Sequence, residues 1–234
     1  WQGNKYDGSS PAAHPNSRFT VSSKRCPTYS QEAENPQGVR ISAIIFGGRR
    51  SSLVPLVYES KNWAHGVLVG AAMSSQTTAA ATGAVGVLRN DPMAMKPFCG
   101  YHFGDYWQHW LDMASKASQL PKIFHVNWFR QDENGNFMWP GFGENIRVLE
   151  WMLKRTKSQV EGTKTPIGTV PTRDEINQKG LQIKDSVMNE LCSVHPQGWK
   201  EEVDRVSKYL ESFGTKVPRP LFTELNEIKQ SLEN

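Results

Sequence analysis

The run WFRQDENGNFMWPGFGEN sets five aromatics, Trp128, Phe129, Phe137, Trp139 and Phe142, around an Asn-Gly dipeptide and ends at Asn145. Rings at this density can hold another flat ring, because a planar ligand gains offset or edge contacts with each phenyl. An amide beside them can read the edge of such a ligand, since asparagine offers both a donor and an acceptor. The same composition also describes a hairpin whose aromatics fill a core, the usual fate of large apolar side chains. Asn134-Gly135 favours a type I′ turn, whose two central positions need positive φ, so LPKIFHVNWFR and NFMW are expected as antiparallel arms. After Pro140, the run Gly141-Phe142-Gly143-Glu144-Asn145 has small residues where backbone must approach something closely. A helix is expected next, with Ile146, Leu149, Met152 and Leu153 on its apolar face.

Two arginines have the chemistry for an anionic substrate. Arg18 and Arg49 each carry a planar, permanently charged fork that matches carboxylate and phosphate oxygens. Exposed arginines are common, so each also reads as a surface or ion-paired residue. His102, Asp105, His109 and Asp112 recur at helical spacing and offer four metal-ligating side chains on one face. Four ligands strung over about three turns of one helix are too far apart to converge on one ion, and no metal site is assigned. Cys26, Cys99 and Cys192 are odd in number and contain no CxxC pair, which suits a reducing compartment and argues against zinc. None has a case as a nucleophile.

These side chains need a scaffold, and the pattern is that of a mixed α/β (α+β) protein, a mixed sheet with flanking helices. Residues 1–38 are rich in Pro, Ser and Asn and read as irregular chain wrapped on another part of a longer protein. Residues 39–170 read as the core that carries the candidate site. Within it VRISAIIF and LVPLVYES are apolar, β-branched strands joined by Gly47-Gly48-Arg49-Arg50, and Trp63 to Met73 is a buried helix. The Ser74 to Gly86 tract is poor in large apolar groups and can anchor little, so a mobile loop is expected over 74–86. Residues 171–234 read as terminal helices. Thr172 to Glu175 is a capping box. Trp199, Val203, Val206, Leu210 and Phe213 line one helical face that stops at Gly214, and Leu221, Leu225, Ile228 and Leu232 line another.

Composition sets outer limits. The chain has 234 residues, one sizeable core, and a formal net charge of +4 with dispersed basic residues. Neither nucleic acid nor a membrane is an expected partner: no basic cluster is present, and no apolar run reaches the roughly eighteen residues of a membrane span.

Eight blocks in order are HPNSRF at 14–19, IIFGGRR at 44–50, VPLVYES at 54–60, WAHGVLVGAAM at 63–73, DPMAMKPF at 91–98, KIFHVNWFR at 122–130, WPGFGEN at 139–145 and TPIG at 165–168. Together they resemble the C-terminal part of the GTP-dependent phosphoenolpyruvate carboxykinases over nearly the whole chain. The resemblance implies that Phe129, Phe137 and Phe142 enclose guanine, that Asn145 hydrogen-bonds its edge, and that Gly143 and Glu144 add backbone contacts. It implies that Asn16, Ser17 and Arg18 contact the organic acid and the transferring phosphoryl group, and that Arg18 and Arg49 meet nucleotide phosphates and stabilise charge in the reaction. The tract Ser74, Ser75, Gln76, Thr77, Thr78, Ala79, Ala80, Ala81 and Thr82 matches a lid that closes over the substrates.

The lid also departs from the family pattern. The stretch after Ala-Ala-Met usually opens with arginine, serine and glutamate and ends in glutamate after the alanines, so three charges are missing here. Asn90 stands where histidine is common, and Lys96 replaces an arginine. For a full-length protein the resemblance implies conversion of oxaloacetate and GTP to phosphoenolpyruvate, GDP and carbon dioxide in gluconeogenesis, by a monomer in the cytoplasm or the mitochondrial matrix. Mn²⁺ would serve the reaction and Mg²⁺ would accompany GTP. The manganese ligands, phosphate loop and reactive cysteine are expected upstream of this chain, which is therefore expected to be a fragment, inactive alone. The alternative is a non-catalytic guanine-nucleotide-binding pseudoenzyme with an altered lid.

Overall fold

The computed structural model describes residues 3–9, 17, 19–78 and 84–233, in two units, 1–40 with 77–87 and 41–76 with 88–234. The first unit has short 3₁₀ turns at Ser23–Arg25 and Gln31–Glu34, each capped by the serine before it, and buries none of their residues. In its second segment the Thr77 amide donates to the Val87 carbonyl at 2.9 Å.

The second unit runs β1 (Ala43–Gly47), β2 (Val57–Glu59), α1 (Trp63–Ala71), β3 (Ser74–Gln76), β4 (Leu88–Asn90), α2 (Phe103–Lys116) and β5 (Lys122–Val126). It continues with α3 (Asn145–Thr156), β6 (Thr163–Thr165), β7 (Gly168–Val170), α4 (Asp185–Leu191), α5 (Pro196–Glu211) and α6 (Arg219–Glu233). Five strands form one mixed sheet in the order β1-β5-β2-β7-β6, with only the β1 and β5 pair parallel. The expected mixed sheet with flanking helices is what the chain forms. Both expected strands are shorter than their apolar runs: VRISAIIF becomes strand only from Ala43 and LVPLVYES only from Val57, and β5 lies between them.

Strand β5 is covered on both faces, which is why KIFHV reads as a nearly unbroken apolar run. Ile123 faces a core shared with Val67, Leu68, Trp107, Leu210 and Leu221 of the flanking helices. Phe124 and Val126 face the opposite core, with Val57, Trp139, Val148, Trp151 and Leu191. Period-two alternation along one strand thus divides the helices into two layers. Helix α1 is capped by Asn62, whose side-chain oxygen accepts from the His65 amide at 2.8 Å, and every residue from His65 to Ala71 is buried. Helix α5 starts with Pro196 in its first turn, where a missing N–H costs nothing. Trp199, Val203, Val206 and Leu210 form its buried face, and Leu221, Leu225, Ile228 and Leu232 that of α6, both as expected. The Thr172 capping box is also formed.

Helix α3 begins where expected but turns a different face inward. Val148, Trp151 and Met152 are buried, while Ile146 and Leu153 are 64% and 55% exposed. Trp151 decides the orientation, since its large ring is fully buried and its indole N–H donates to Glu175 at 3.2 Å. Charge fixes the helix to the sheet as well. Buried Glu59 of β2 accepts from Arg155 of α3 at 2.6 Å and from Lys122 of β5 at 2.7 Å. Replacing Trp151 by alanine should lower unfolding stability by about 3–5 kcal/mol, the usual cost of emptying such a site, as read from denaturant titration of the full-length protein. A loss under about 1 kcal/mol would show that α3 is held by its ion pairs alone.

Candidate functional site

The site is built where β1 and β5 end side by side. Past β1 the chain turns through Gly47-Gly48-Arg49-Arg50, and Gly48 is required there: a Cβ would lie 2.3 Å from the carbonyl oxygen of Ser74. The amide of Arg49 then donates to Ser75 Oγ at 3.1 Å. Asn127, one residue beyond β5, is fully buried and ties the turn to that strand. Its Oδ1 accepts from the amides of Arg50 and Phe129, both at 3.2 Å, and its Nδ2 donates to the carbonyls of Arg50 at 2.9 Å and Val54 at 3.0 Å.

The two neighbouring arginines part here. Arg50 turns inward to Glu202 of α5 at 2.7 Å and to Ser74 Oγ at 2.8 Å. Arg49 turns outward, with its guanidinium carbon 4.0 Å from the centre of the Phe129 ring, a cation–π contact. Phe129 in turn meets Phe137 edge to face at 5.9 Å. Burial pushes the Glu202 carboxyl up, but hydrogen bonds from Arg205 and Arg50 together outweigh it and bring the group to about 2.

The hairpin that carries Phe137 differs from the expected one. Only Gly135 has positive φ, so Asn134-Gly135 is not a type I′ turn. Asp132 replaces that geometry: the Gly135 amide donates to its carbonyl at 3.0 Å, and its side chain accepts from the amides of Asn134 and Asn136 at 2.9 and 2.8 Å. A turn closed by an Asx side chain and followed by one left-handed glycine is the three-residue hairpin solution. The arms are short, with one bridge between Gln131 and Phe137, because the preceding KIFHV segment belongs to the sheet.

The aromatics of the run divide between core and surface. Trp139 is core, 1% exposed, and Trp128 is half-buried, whereas Phe137 is 55% and Phe142 is 99% exposed. Gly141 adopts φ 72° and ψ −164°, a region only glycine enters readily, and Phe142 follows at φ 43°. A phenylalanine that is both wholly exposed and left-handed gains nothing from packing and pays for its backbone. Asn145 opens α3, and its Oδ1 accepts from the Trp139 indole at 2.8 Å. That bond orients the amide and leaves Nδ2 free to donate. Glu144 is ion-paired to Arg147, so its carboxylate is turned to the helix, and Gly143 is exposed.

Arg49, Phe129 and Phe137 are therefore brought into contact, while Phe142, Gly143, Glu144 and Asn145 form the adjoining loop and helix start. Ser17 lies exposed in the first unit, and Asn16 and Arg18 are outside the described residues. Of the tract expected to be a mobile loop, Ser74, Ser75 and Gln76 are instead strand β3, paired with β4. Thr77 and Thr78 follow, and Ala79, Ala80, Ala81 and Thr82 are outside the described residues.

Three of the four spaced His and Asp residues at helix α2 have other partners. His102 caps α2 by accepting from the Gly104 amide at 3.0 Å, Asp105 pairs with Lys216 at 3.1 Å, and Asp112 accepts from Gln108 at 2.7 Å. Burial pushes the Cys192 thiol up to about 12, which leaves it inert. Behind Arg50, a cavity of about 60 Å³ is lined by Tyr58, His65, His125 and Trp199 among others. Burial lowers both histidines to about 3, so neither carries charge or shuttles protons near neutral pH. Sequence reasoning missed Asn127, Arg50, Glu202 and Arg205. The doubled arginine and the polar residue inside an apolar strand end were the available signals.

The family described as the phosphoenolpyruvate carboxykinase C-terminal P-loop domain matches residues 1–231, and the chain belongs to that family. It is 50% identical over 235 residues to phosphoenolpyruvate carboxykinase (GTP) of Chlamydia muridarum and 49% identical to that of Chlamydia trachomatis, with 100% of this chain and 39% of each relative covered. The protein of the same name from Thermoplasma volcanium is 47% identical over 233 residues, covering 99% of this chain and 39% of its own length. The chain thus spans about two fifths of the relatives it matches.

The buried carboxylate behind the arginine turn gives the site a pH dependence of known sign. The Glu202 value in the folded protein, about 2, lies below the ordinary 4.5. Its contribution is therefore complete above about pH 4.5 and is lost as the pH falls toward 2, on the order of 3 kcal/mol from this group. Glu202→Gln should flatten that part of the stability curve of the full-length protein between about pH 5 and 2. An unchanged slope would mean that the carboxylate is not clamped by its arginines.

Proposed function

We propose that this chain forms the guanine-nucleotide half of the active site of a GTP-dependent phosphoenolpyruvate carboxykinase. Phe129, Phe137 and Phe142 lie against the base, Asn145 reads its edge through Nδ2, and Arg49 meets the phosphates. The observation that carries this reading is Phe142, fully exposed at positive φ beside an asparagine whose oxygen is already committed to Trp139. A donor held in that orientation suits the carbonyl of guanine, whereas adenine presents an amine at the same edge. No carboxylate among the described residues pairs with Arg49, whose charge is held only on the face of Phe129. Ser17, with Asn16 and Arg18, is assigned to the organic acid and the transferring phosphoryl group.

The overall reaction on this reading consumes oxaloacetate and GTP and yields phosphoenolpyruvate, GDP and carbon dioxide. Loss of carbon dioxide leaves an enolate, and fixed guanidinium charges favour both that anion and the oxygens of the phosphoryl group as it transfers. Manganese would add Lewis-acid stabilisation of the same charge. On the family resemblance its ligands are assigned to the rest of the full-length protein. Magnesium would accompany GTP on its phosphates.

Asn145→Asp is the sharpest test, because it keeps the oxygen that Trp139 needs and replaces the donor with an acceptor. In the full-length protein GTP affinity should fall about tenfold to a hundredfold, and preference over ATP should narrow. Unchanged affinity with unchanged preference would remove Asn145 from base recognition. Turnover of oxaloacetate with GTP and Mn²⁺, measured on the wild type beside binding, separates the enzyme from a nucleotide-binding protein without activity.

A further inference from the structure

The two departures from the family pattern at Ser74 and Asn90 are distant in sequence but are direct partners in the fold. Ser74 is the first residue of β3, Asn90 the last of β4, and the two face each other in the antiparallel register. A hairpin with three residues per strand is marginal by itself and needs an outside clamp. Arg50 reaches Ser74 Oγ at 2.8 Å, and a side chain from α5 spans both strands. Arg205 donates through Nη1 to Asn90 Oδ1 and through Nη2 to Ser74 Oγ at 3.3 Å, while Nε and Nη2 hold Glu202 at 3.0 and 2.8 Å.

We propose that Arg205 is the positioning residue for the base of the lid hairpin, supplying from α5 the guanidinium that the family pattern places at position 74. Charge balance makes the two arrangements alternatives. Glu202 already takes Arg50 and Arg205, so an arginine at 74 would set a third guanidinium on one partly buried carboxylate. Like charges so arranged repel strongly in a poorly solvated site. The substitution at 90 follows the same logic. A protonatable imidazole would face Arg205, whereas the asparagine carbonyl accepts from it. Asp91, which pairs with Arg89 at 3.6 Å, holds the next residue, and its amide donates to the Met73 carbonyl at 2.9 Å. The loss of a cation from β3, the loss of a ring from β4 and the arginine on α5 therefore form one self-consistent set. Three charges are absent from the lid tract, yet a cation still closes its base.

That the hairpin serves as a lid rests on the carboxykinase reading; that Arg205 holds it does not. The test is therefore amide hydrogen exchange on the nucleotide-free full-length protein, which needs neither GTP binding nor turnover. Arg205→Ala should raise exchange in Ser74–Gln76 and Leu88–Asn90 about tenfold, with β5 and α1 unchanged. Adding Ser74→Arg to that variant should bring exchange back to within about threefold of wild type, whereas Ser74→Arg alone should loosen the hairpin. Rescue by a relocated guanidinium is something a general packing role for Arg205 would not give. Asn90→Ala leaves the Arg205 and Glu202 pair intact and covers the case in which Arg205→Ala does not fold; it should raise exchange in β4 about threefold. Unchanged hairpin exchange in Arg205→Ala or Asn90→Ala, or a double variant as loose as the single one, would overturn the proposal.

Discussion

A wholly buried side-chain amide at the end of β5 joins the two loops on which the site depends. Asn127 saturates its oxygen with the amides of Arg50 and Phe129 and its nitrogen with the carbonyls of Arg50 and Val54. Each such bond adds only about 1 kcal/mol net, but leaving any of these buried groups unpaired costs about 1–3 kcal/mol. The geometry is therefore enforced less by what the bonds gain than by what their loss would expose. Because the same oxygen receives both amides, the arginine turn and the start of the aromatic hairpin cannot shift independently. The Arg49 and Phe129 contact is a consequence of that shared acceptor.

Once the turn is fixed, adjacent residues of identical type acquire opposite tasks. Arg50 is drawn inward because a carboxylate waits there, and without Glu202 an inward guanidinium would be an uncompensated buried charge. Arg49 is kept outward by an aromatic face, which attracts a cation without neutralising it. One arginine holds the scaffold, and on the proposed reading its neighbour is left for the nucleotide phosphates. A lysine at either position would lose the planar fork or the stacking on which the division rests.

Much of the fold is legible in the sequence where it is written locally. The faces of α5 and α6 follow from four apolar residues each at helical spacing, and the Thr172 box follows from residues three apart. The order of the sheet is not local. Nothing in VRISAIIF or LVPLVYES reveals that β5 enters between them, since pairing is settled by long-range burial on both faces of KIFHV. The hairpin type escaped because Asp132, outside the Asn-Gly pair, satisfies two amides with its side chain. The inward face of α3 is not legible from its aliphatic spacing, because the volume of Trp151 sets the orientation. In the candidate site the aromatic run and Arg49 stand out in sequence, but the sorting of tryptophans into core and phenylalanines onto the surface needs three dimensions. So does the inward pull on Arg50, whose partner lies 152 residues away.

Phe142 joins a left-handed backbone to a fully exposed ring. A left-handed φ costs a non-glycine residue about 1–2 kcal/mol, and this side chain, 99% exposed, recovers none of it by burial. Covering an exposed phenyl side chain is worth up to about 1.5–3 kcal/mol. The backbone cost is met in the free protein by the rest of the fold, so most of that burial energy stays available to whatever flat ligand covers the ring. Gly141 ahead of it and the Trp139 to Asn145 bond behind it hold the loop in this arrangement before any ligand arrives. On the proposed reading, ordering costs are thereby met during folding rather than at binding, and the Asn145 amide is already turned when the ring is covered. A core phenylalanine would have no such energy to give, which is why exposure of this ring, and not the abundance of aromatics around it, is the feature that points to a ligand.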